Sequence, residues 1–522
     1  MSDIKEDKAA EFVEAVAEFV DKVFERCGDR YGKEQTPLLV DGIDLETGEP
    51  ARWEGYVLSN PACQQNFLRA LVGLGAITRD GEYRQKAGEW IGAALEKMGE
   101  PASDLLYWGG HSSYDLETDA PVVGNHEMKC VYPFYEFFYE VDSERTRRFV
   151  EGMWHKHVAD WSTLLFNRHG EYEEWDRSRC WKSGRYEGGE LPIVENTLLS
   201  FVNTGSDLIC AGTLLHCLDG EEEPLLWARR LLHRYEEVRN RETGLAGYQF
   251  NHREPCRVRM SFKLPLSERE DVNETTVITN NVIRTRYGRS AVAFMNLCEQ
   301  LGMDKGRLFF DLVTWDLAAL AEHAYDEEDH SFSSVLYDGT RVSPKDAVEG
   351  VGYCPPNKLE KVAACGLMFL AYSRAYRLSG EPRFLQVAQG MAEGMGWGDL
   401  ESAFSEEGGI SPSAPEGWSN PNQDDVCALF GLLDLYRSTE REGYLATAVR
   451  LGERLMRGSL VDGFFTTGAE GRDGFSRIDS ALPLGLLHLA AAIEGREVEL
   501  PAFYPNLSYF DPKVVVARRK RG

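Results

Sequence analysis

Positive charge is in short supply in this chain. Its 57 Lys and Arg face 85 Asp and Glu, a formal net charge of −28 over 522 residues. Nucleic acid is therefore a poor partner, because neutralising phosphates takes clustered cations. An acidic sugar stays open, since a basic pocket can sit inside an acidic shell. The closing "RRKRG" reads as a short solvated tail. Paired cysteine motifs are also missing. The 11 cysteines are odd in number, lack any CxxC, and lie in hydrophobic runs such as "SDLICAGTLLHCLDG" and "KVAACGLMFLAYS". That pattern predicts buried free thiols in a reducing compartment. No apolar run is long enough to span a membrane. The opening "MSDIKEDKAAEFVEAVAEFV" has no basic stretch followed by an apolar one. Together these absences predict a cytoplasmic protein with neither nucleic-acid nor membrane partners. They leave its oligomeric state open.

What the chain does have is helical periodicity. Phe12, Val13, Val16, Phe19, Val20 and Val23 recur on one helical face. Similar patterns cover roughly 60–77, 83–99, 126–140, 142–165, 194–218, 222–238, 286–302, 304–323, 357–379, 381–396, 424–438, 440–457 and 478–493. Many come in pairs across short turns such as "LDGEEEP", "LGMDKG" and "LSGEPR". Helical hairpins repeated along a long chain predict an all-α toroid of about seven hairpins, read as one domain over 1–522. The connections 100–125, 167–193, 240–285, 324–356 and 397–423 are long and rich in aromatics and charge, which suits loops that carry chemistry. Within 256–288, "CRVRMSFKLP…ETTVITNNVIRTRYG" has the alternation of a small β-hairpin.

Histidine is scarce too, at 11 residues, so its positions are informative. His216, His233, His323 and His488 lie in apolar helical patterns and read as packing residues. His155 and His157, two apart on a helix, point to different faces. Three sites stand out. His111 follows paired glycines in "YWGGHSSYDLET". His126 and Glu127 open the 126–140 pattern behind Asn125, a fair N-cap. His169 lies in "LFNRHGEYEEW", just past the pattern ending at 165. A histidine, a glutamate and a second histidine suit a transition metal, with waters completing the shell. The competing reading has His111 and His169 capping loops while Glu127 complements a helix dipole.

The run "WGGH…GNHEMKCVYPFYEFFYEVD…WHKHVADWSTLLFNRHGEYEEW…FVNTGSDLICAG", over roughly 105–215, resembles the family 2 pectate lyases. That resemblance implies an (α/α)7 barrel and cleavage of α-1,4-linked polygalacturonate by metal-assisted β-elimination to 4,5-unsaturated products. It maps the metal ligands onto His111, Glu127 and His169, with a divalent transition metal as cofactor: Mn foremost, or Co, Ni, Fe or Zn. Arg168 falls on the position of the base, although guanidinium normally stays protonated, so an electrostatic clamp on a carboxylate is the alternative. Arg284, Arg286 and Arg289 in "VIRTRYGRS" have the fork geometry for uronate carboxylates. Lys182, Arg185, Tyr172, Trp175, Trp108 and Lys129 are further candidates for substrate contact. The expected partner is an acidic oligosaccharide, in short imported form given the cytoplasmic expectation. An α/α-barrel glycoside hydrolase or sugar epimerase remains a second reading, using Glu173, Glu174 and Asp176 or Asp424 and Asp425. A non-catalytic scaffold is disfavoured by the five long aromatic loops.

Overall fold

The computed structural model describes residues 2–53, 55–179, 181, 186–191, 193–194, 198–398, 400, 423–466 and 475–507. Packing divides the chain into two compact units. One comprises 1–127, 131–149 and 413–522, and the other 128–130 and 150–412.

In the first unit the opening helix α1 (Ser2–Cys27) buries Phe12, Val16, Phe19, Val20 and Val23, the face its periodicity marks. Its partner is not the next helix but the last, α14 (Leu482–Glu494). Two further hairpins join α2 (Gln65–Thr78) to α3 (Gly81–Lys97) and α12 (Gln423–Thr439) to α13 (Glu442–Ser459). A short α4 (Tyr135–Val141) leads through Asp142 into α5 (Ser143–His157), whose residues from Val150 on belong to the second unit.

The second unit repeats the device. Helix α6 (Val202–Asp219) packs on α7 (Glu222–Glu237), and α10 (Gly366–Ser379) on α11 (Pro382–Gly394). Between them a single turn α8 (Asn280–Val282) runs through a π-helix, Ile283–Ser290, into α9 (Ala291–His323). Gly302, at φ 72°, folds α9 back on itself and brings the Phe294 and Phe309 ring centroids to 6.1 Å. The fold class is thus all-α, of the α/α-barrel type, as the paired patterns predict.

Two readings need correction. The 126–140 pattern is not one helix: His126–Glu127 is a short strand, and α4 begins only at Tyr135. Pro133 blocks the helix, and Cys130 and Tyr132 take positive φ. Asn125 is therefore not a helix cap. The alternating stretch does not close a local hairpin either. Val277–Ile278 pairs antiparallel with Ser334–Leu336, which in turn pairs with Arg341–Val342. The long connections 240–285 and 324–356 thereby fold together over a small core of their own, including Val258, Phe262, Val272, Leu336 and Cys354.

Candidate active site

In the first unit, the paired glycines before His111 are a close-approach device. Gly109 takes φ 102° and lies so near the Glu127 carbonyl that a side chain there would collide with it. The Gly110 amide donates to that carbonyl at 3.0 Å. Asn60 clamps the turn from below, donating from Nδ2 to the Gly109 carbonyl at 2.9 Å and accepting the Gly109 amide at 3.1 Å. This backbone seam sets the His111 Nε2 3.2 Å from the Glu127 Oε2. The imidazole is half exposed while the carboxylate is 1% exposed. His126, next to Glu127, turns its ring edge-on to Phe149 at 5.9 Å and is fully buried. Trp108 packs on Phe138 and Phe149, so it is a core residue.

The second unit carries the "NRHG" segment. His157, at the end of α5, meets the Asn167 carbonyl through Nδ1 at 2.9 Å, and the Asn167 amide returns a bond to the His157 carbonyl at 2.8 Å. A carbonyl only accepts, so His157 carries its proton on Nδ1. The Asn167 side chain then accepts the His169 amide at 3.1 Å. Gly170 lies against His157, where an added Cβ would stand 2.8 Å from Nε2. Arg168 is half-buried, its guanidinium 5.8 Å over the Phe201 ring. Phe201 in turn packs on Tyr248 at 5.4 Å.

These residues suit a divalent ion. A buried carboxylate is costly unless positive charge meets it. His111, Glu127 and His169 each offer one donor atom, two imidazole nitrogens and a carboxylate oxygen. Because Glu127 sits in a strand and not at a helix start, the helix-dipole reading no longer accounts for it.

The remaining candidates separate. Arg286 was expected to meet substrate, but it is buried among the helices. Its Nε donates to Asp316 Oδ2 at 2.9 Å, and its amino groups reach the Gly247 and Tyr235 carbonyls at 3.2 and 3.1 Å. Its fork is committed, so it is a packing residue. Arg284 is half-buried and Arg289 buried, and neither side chain makes a hydrogen bond or ion pair among the described residues. Trp175 stacks on His155, ring centroids 4.4 Å apart and planes 20° off parallel, while Tyr172 is half-buried nearby in sequence. Lys182 and Arg185 lie outside the described residues. Glu173, Glu174 and Asp176 are exposed, with Asp176 accepting from the Ser178 hydroxyl at 2.6 Å. Asp424 and Asp425 sit in the first turn of α12, where carboxylates complement the dipole.

Sequence reading missed a basic and aromatic cluster in the second unit. Tyr353 has the Lys358 Nζ 5.0 Å and the Arg253 guanidinium 5.8 Å from its ring centre. Burial pushes the Tyr353 phenol up, Cys354 and Glu274 add to that, and Arg253 and Arg168 pull against it. Arg253 comes from a different connection than Tyr353 and Lys358, so no local spacing announces the cluster.

The comparisons with known proteins give the class, a polysaccharide lyase. The chain belongs to the periplasmic pectate lyase family, whose model matches residues 36–513. A pectate disaccharide-lyase of Dickeya dadantii (strain 3937) is 27% identical over 518 residues, covering 91% of this chain and 88% of that one. The chain is thus a pectate-degrading lyase. Among solved structures, an α-1,6-mannanase of Salegentibacter sp. HEL1_6 aligns with TM-score 0.45 and 11% identity over 92% of this chain and 99% of that one. A cellobiose 2-epimerase from Bacillus thermoamylovorans B4167 aligns with TM-score 0.46 and 11% identity over 92% of this chain and all (100%) of that one.

The family's description overturns the cytoplasmic expectation, since its members are periplasmic pectate lyases. Free thiols do not argue otherwise. Every described cysteine except Cys217 is buried, and a buried thiol is shielded from oxidants in any compartment. The inference of short imported oligomers falls with the compartment. No helix among the described residues is long and apolar enough to cross a membrane.

Proposed function

We propose that the protein cleaves α-1,4-linked polygalacturonate or oligogalacturonate by metal-assisted β-elimination, leaving a 4,5-unsaturated uronate. The observation that supports this most is the His111–Glu127 pair, an imidazole held 3.2 Å from a buried carboxylate. By resemblance His169 completes the ligand set, and the family match over 36–513 supports reading the chain as one catalytic domain. The resident ion is a divalent transition metal, Mn first by resemblance, with Co, Ni, Fe or Zn as alternatives. When bound, it supplies Lewis acidity to the substrate carboxylate.

The chain's own groups do the rest. The C5 proton is α to a carboxylate and poorly acidic, so its removal needs a base within hydrogen-bond reach. Arg168 is the group in the role of base. The C5–H electron pair becomes the C4–C5 double bond as the C4–O bond breaks and the leaving sugar takes a proton. The Phe201 ring lies 5.8 Å from the Arg168 guanidinium and fixes its orientation. Arg284 and Arg289 keep uncommitted guanidiniums for neighbouring uronate carboxylates. Tyr172 and Trp175 offer rings for sugar contact.

The test is incubation with polygalacturonate and short oligogalacturonates while following the ultraviolet absorbance of the new double bond. Activity should vanish with EDTA and return with Mn. No unsaturated product from any uronate, with metal supplied, would sink the reading.

A further inference from the structure

The loops 240–285 and 324–356 share a small core and bring two cations to one tyrosine. Tyr353 stands on the small core beneath these loops, packed against it by one edge. Its position is fixed from behind. The Ser261 hydroxyl accepts the Tyr353 and Cys354 amides at 2.5 and 2.9 Å. Gly352, at φ 84°, lies so close to Ser261 that any side chain there would collide with it. The tyrosine is thus held by a built turn and is not a loose surface ring.

Two cations flank it. Lys358 donates from Nζ to the Tyr353 carbonyl at 3.2 Å and has no acidic partner among the described residues. Arg253 gives only its Nε to an acid, Glu274 Oε1 at 3.3 Å, and its two terminal amino groups make no hydrogen bond among the described residues. Glu274 is itself buried and holds the arginine side chain through that contact. The Tyr353 hydroxyl likewise makes no hydrogen bond among the described residues. Arg168 lies close enough to act on the Tyr353 phenol, which ties the cluster to the "NRHG" segment. A fork of free guanidinium donors, an ammonium and a phenol O–H form a recognition set for a carboxylated sugar.

The geometry points to a further uronate subsite at Tyr353, Arg253 and Lys358, in which the two cations read galacturonate carboxylate charge and the Tyr353 hydroxyl donates to the bound sugar. This rests on the lyase reading for the sugar class. It adds a carboxylate-reading position beyond the reacting residue and predicts discrimination against esterified or neutral sugars at that position. Two separate connections contribute to it, so a shift in either would dismantle it.

The experiment is calorimetric binding of trigalacturonate to the EDTA-treated full chain, beside Michaelis kinetics with metal restored. The variants are Lys358→Gln, Tyr353→Phe and the charge-preserving Lys358→Arg. The proposal expects Lys358→Gln to weaken binding and raise KM by about tenfold, the loss of one charge-assisted contact of about 1.4 kcal/mol. It expects kcat to stay within about twofold, a KM effect without loss of transition-state contacts. Lys358→Arg should restore most of the affinity, and Tyr353→Phe should cost severalfold. Unchanged melting temperatures keep these effects from being read as misfolding. Equal binding by wild type and Lys358→Gln, or equal binding of a neutral galactose trisaccharide, would overturn the subsite. Failure of the lyase reading looks different: trigalacturonate would bind as expected, yet no unsaturated product would form with metal supplied.

Discussion

His111 and Glu127 are joined twice, once by a 3.2 Å approach of Nε2 to Oε2 and once by the backbone seam that carries Gly109 and Gly110 along the Glu127 carbonyl. The side-chain pair therefore depends on a glycine turn. Gly109→Ala should force that turn open, because it places a Cβ against the Glu127 carbonyl at φ 102°. We expect a loss of about 1–3 kcal/mol in stability and weaker metal retention. Thermal unfolding with and without added Mn measures both. An unchanged melting temperature would show that the turn relaxes freely.

Replacing the carboxylate itself separates ligation from folding. Glu127→Gln keeps the shape but removes the negative charge, so metal content of the purified protein should fall together with activity, the latter by about 100-fold or more. Elemental analysis of the protein, beside the absorbance assay, reads the two separately. Full metal occupancy in this variant would remove Glu127 from the ligand set.

Arg168 has two roles to be told apart. As a base, its loss in Arg168→Ala should lower kcat by about 10²–10⁴-fold with metal content intact, and added guanidine should restore part of the rate. As a clamp, the same variant should act mainly through KM. Steady-state kinetics on oligogalacturonate, with and without guanidine, decides between them.

Asp316 links Arg286 on the π-helix to Arg239 beyond α7, with both guanidiniums within hydrogen-bond reach. Burial pushes the Asp316 carboxyl up, but Arg239 and Arg286 outweigh it and hold it below the usual carboxylate range. A carboxylate depressed in the folded state contributes stability above its unfolded pKa and loses it as pH falls through the folded one. Asp316→Asn should thus cost about 3–5 kcal/mol near neutrality, since two buried cations lose their counter-charge. The gap to wild type should narrow under acid. Urea unfolding across a pH series checks it, and a constant gap would contradict the assignment.

Much of this was legible in the residues and some was not, for physical reasons. The face of α1 and the hairpins of α6 with α7 and of α10 with α11 follow from period and turn chemistry. Apolar spacing alone extended a helix through 126–134, because the pattern cannot weigh Pro133 or the positive φ of Cys130 and Tyr132. The pairing of α1 with α14 has no local signal at all. Arg286 looked like its neighbours Arg284 and Arg289 in sequence, and only Asp316, thirty positions away, distinguishes it. The Tyr353 cluster was invisible because tertiary contact across the two loops, not spacing, assembles it.

The most direct measurement of the central claim is the mass of the products from trigalacturonate. Elimination divides the chain without adding water, so the new non-reducing end should be one water lighter than a saturated uronate, and only with metal present. Saturated products, each bond cleaved with uptake of one water and undisturbed by EDTA, would contradict the account.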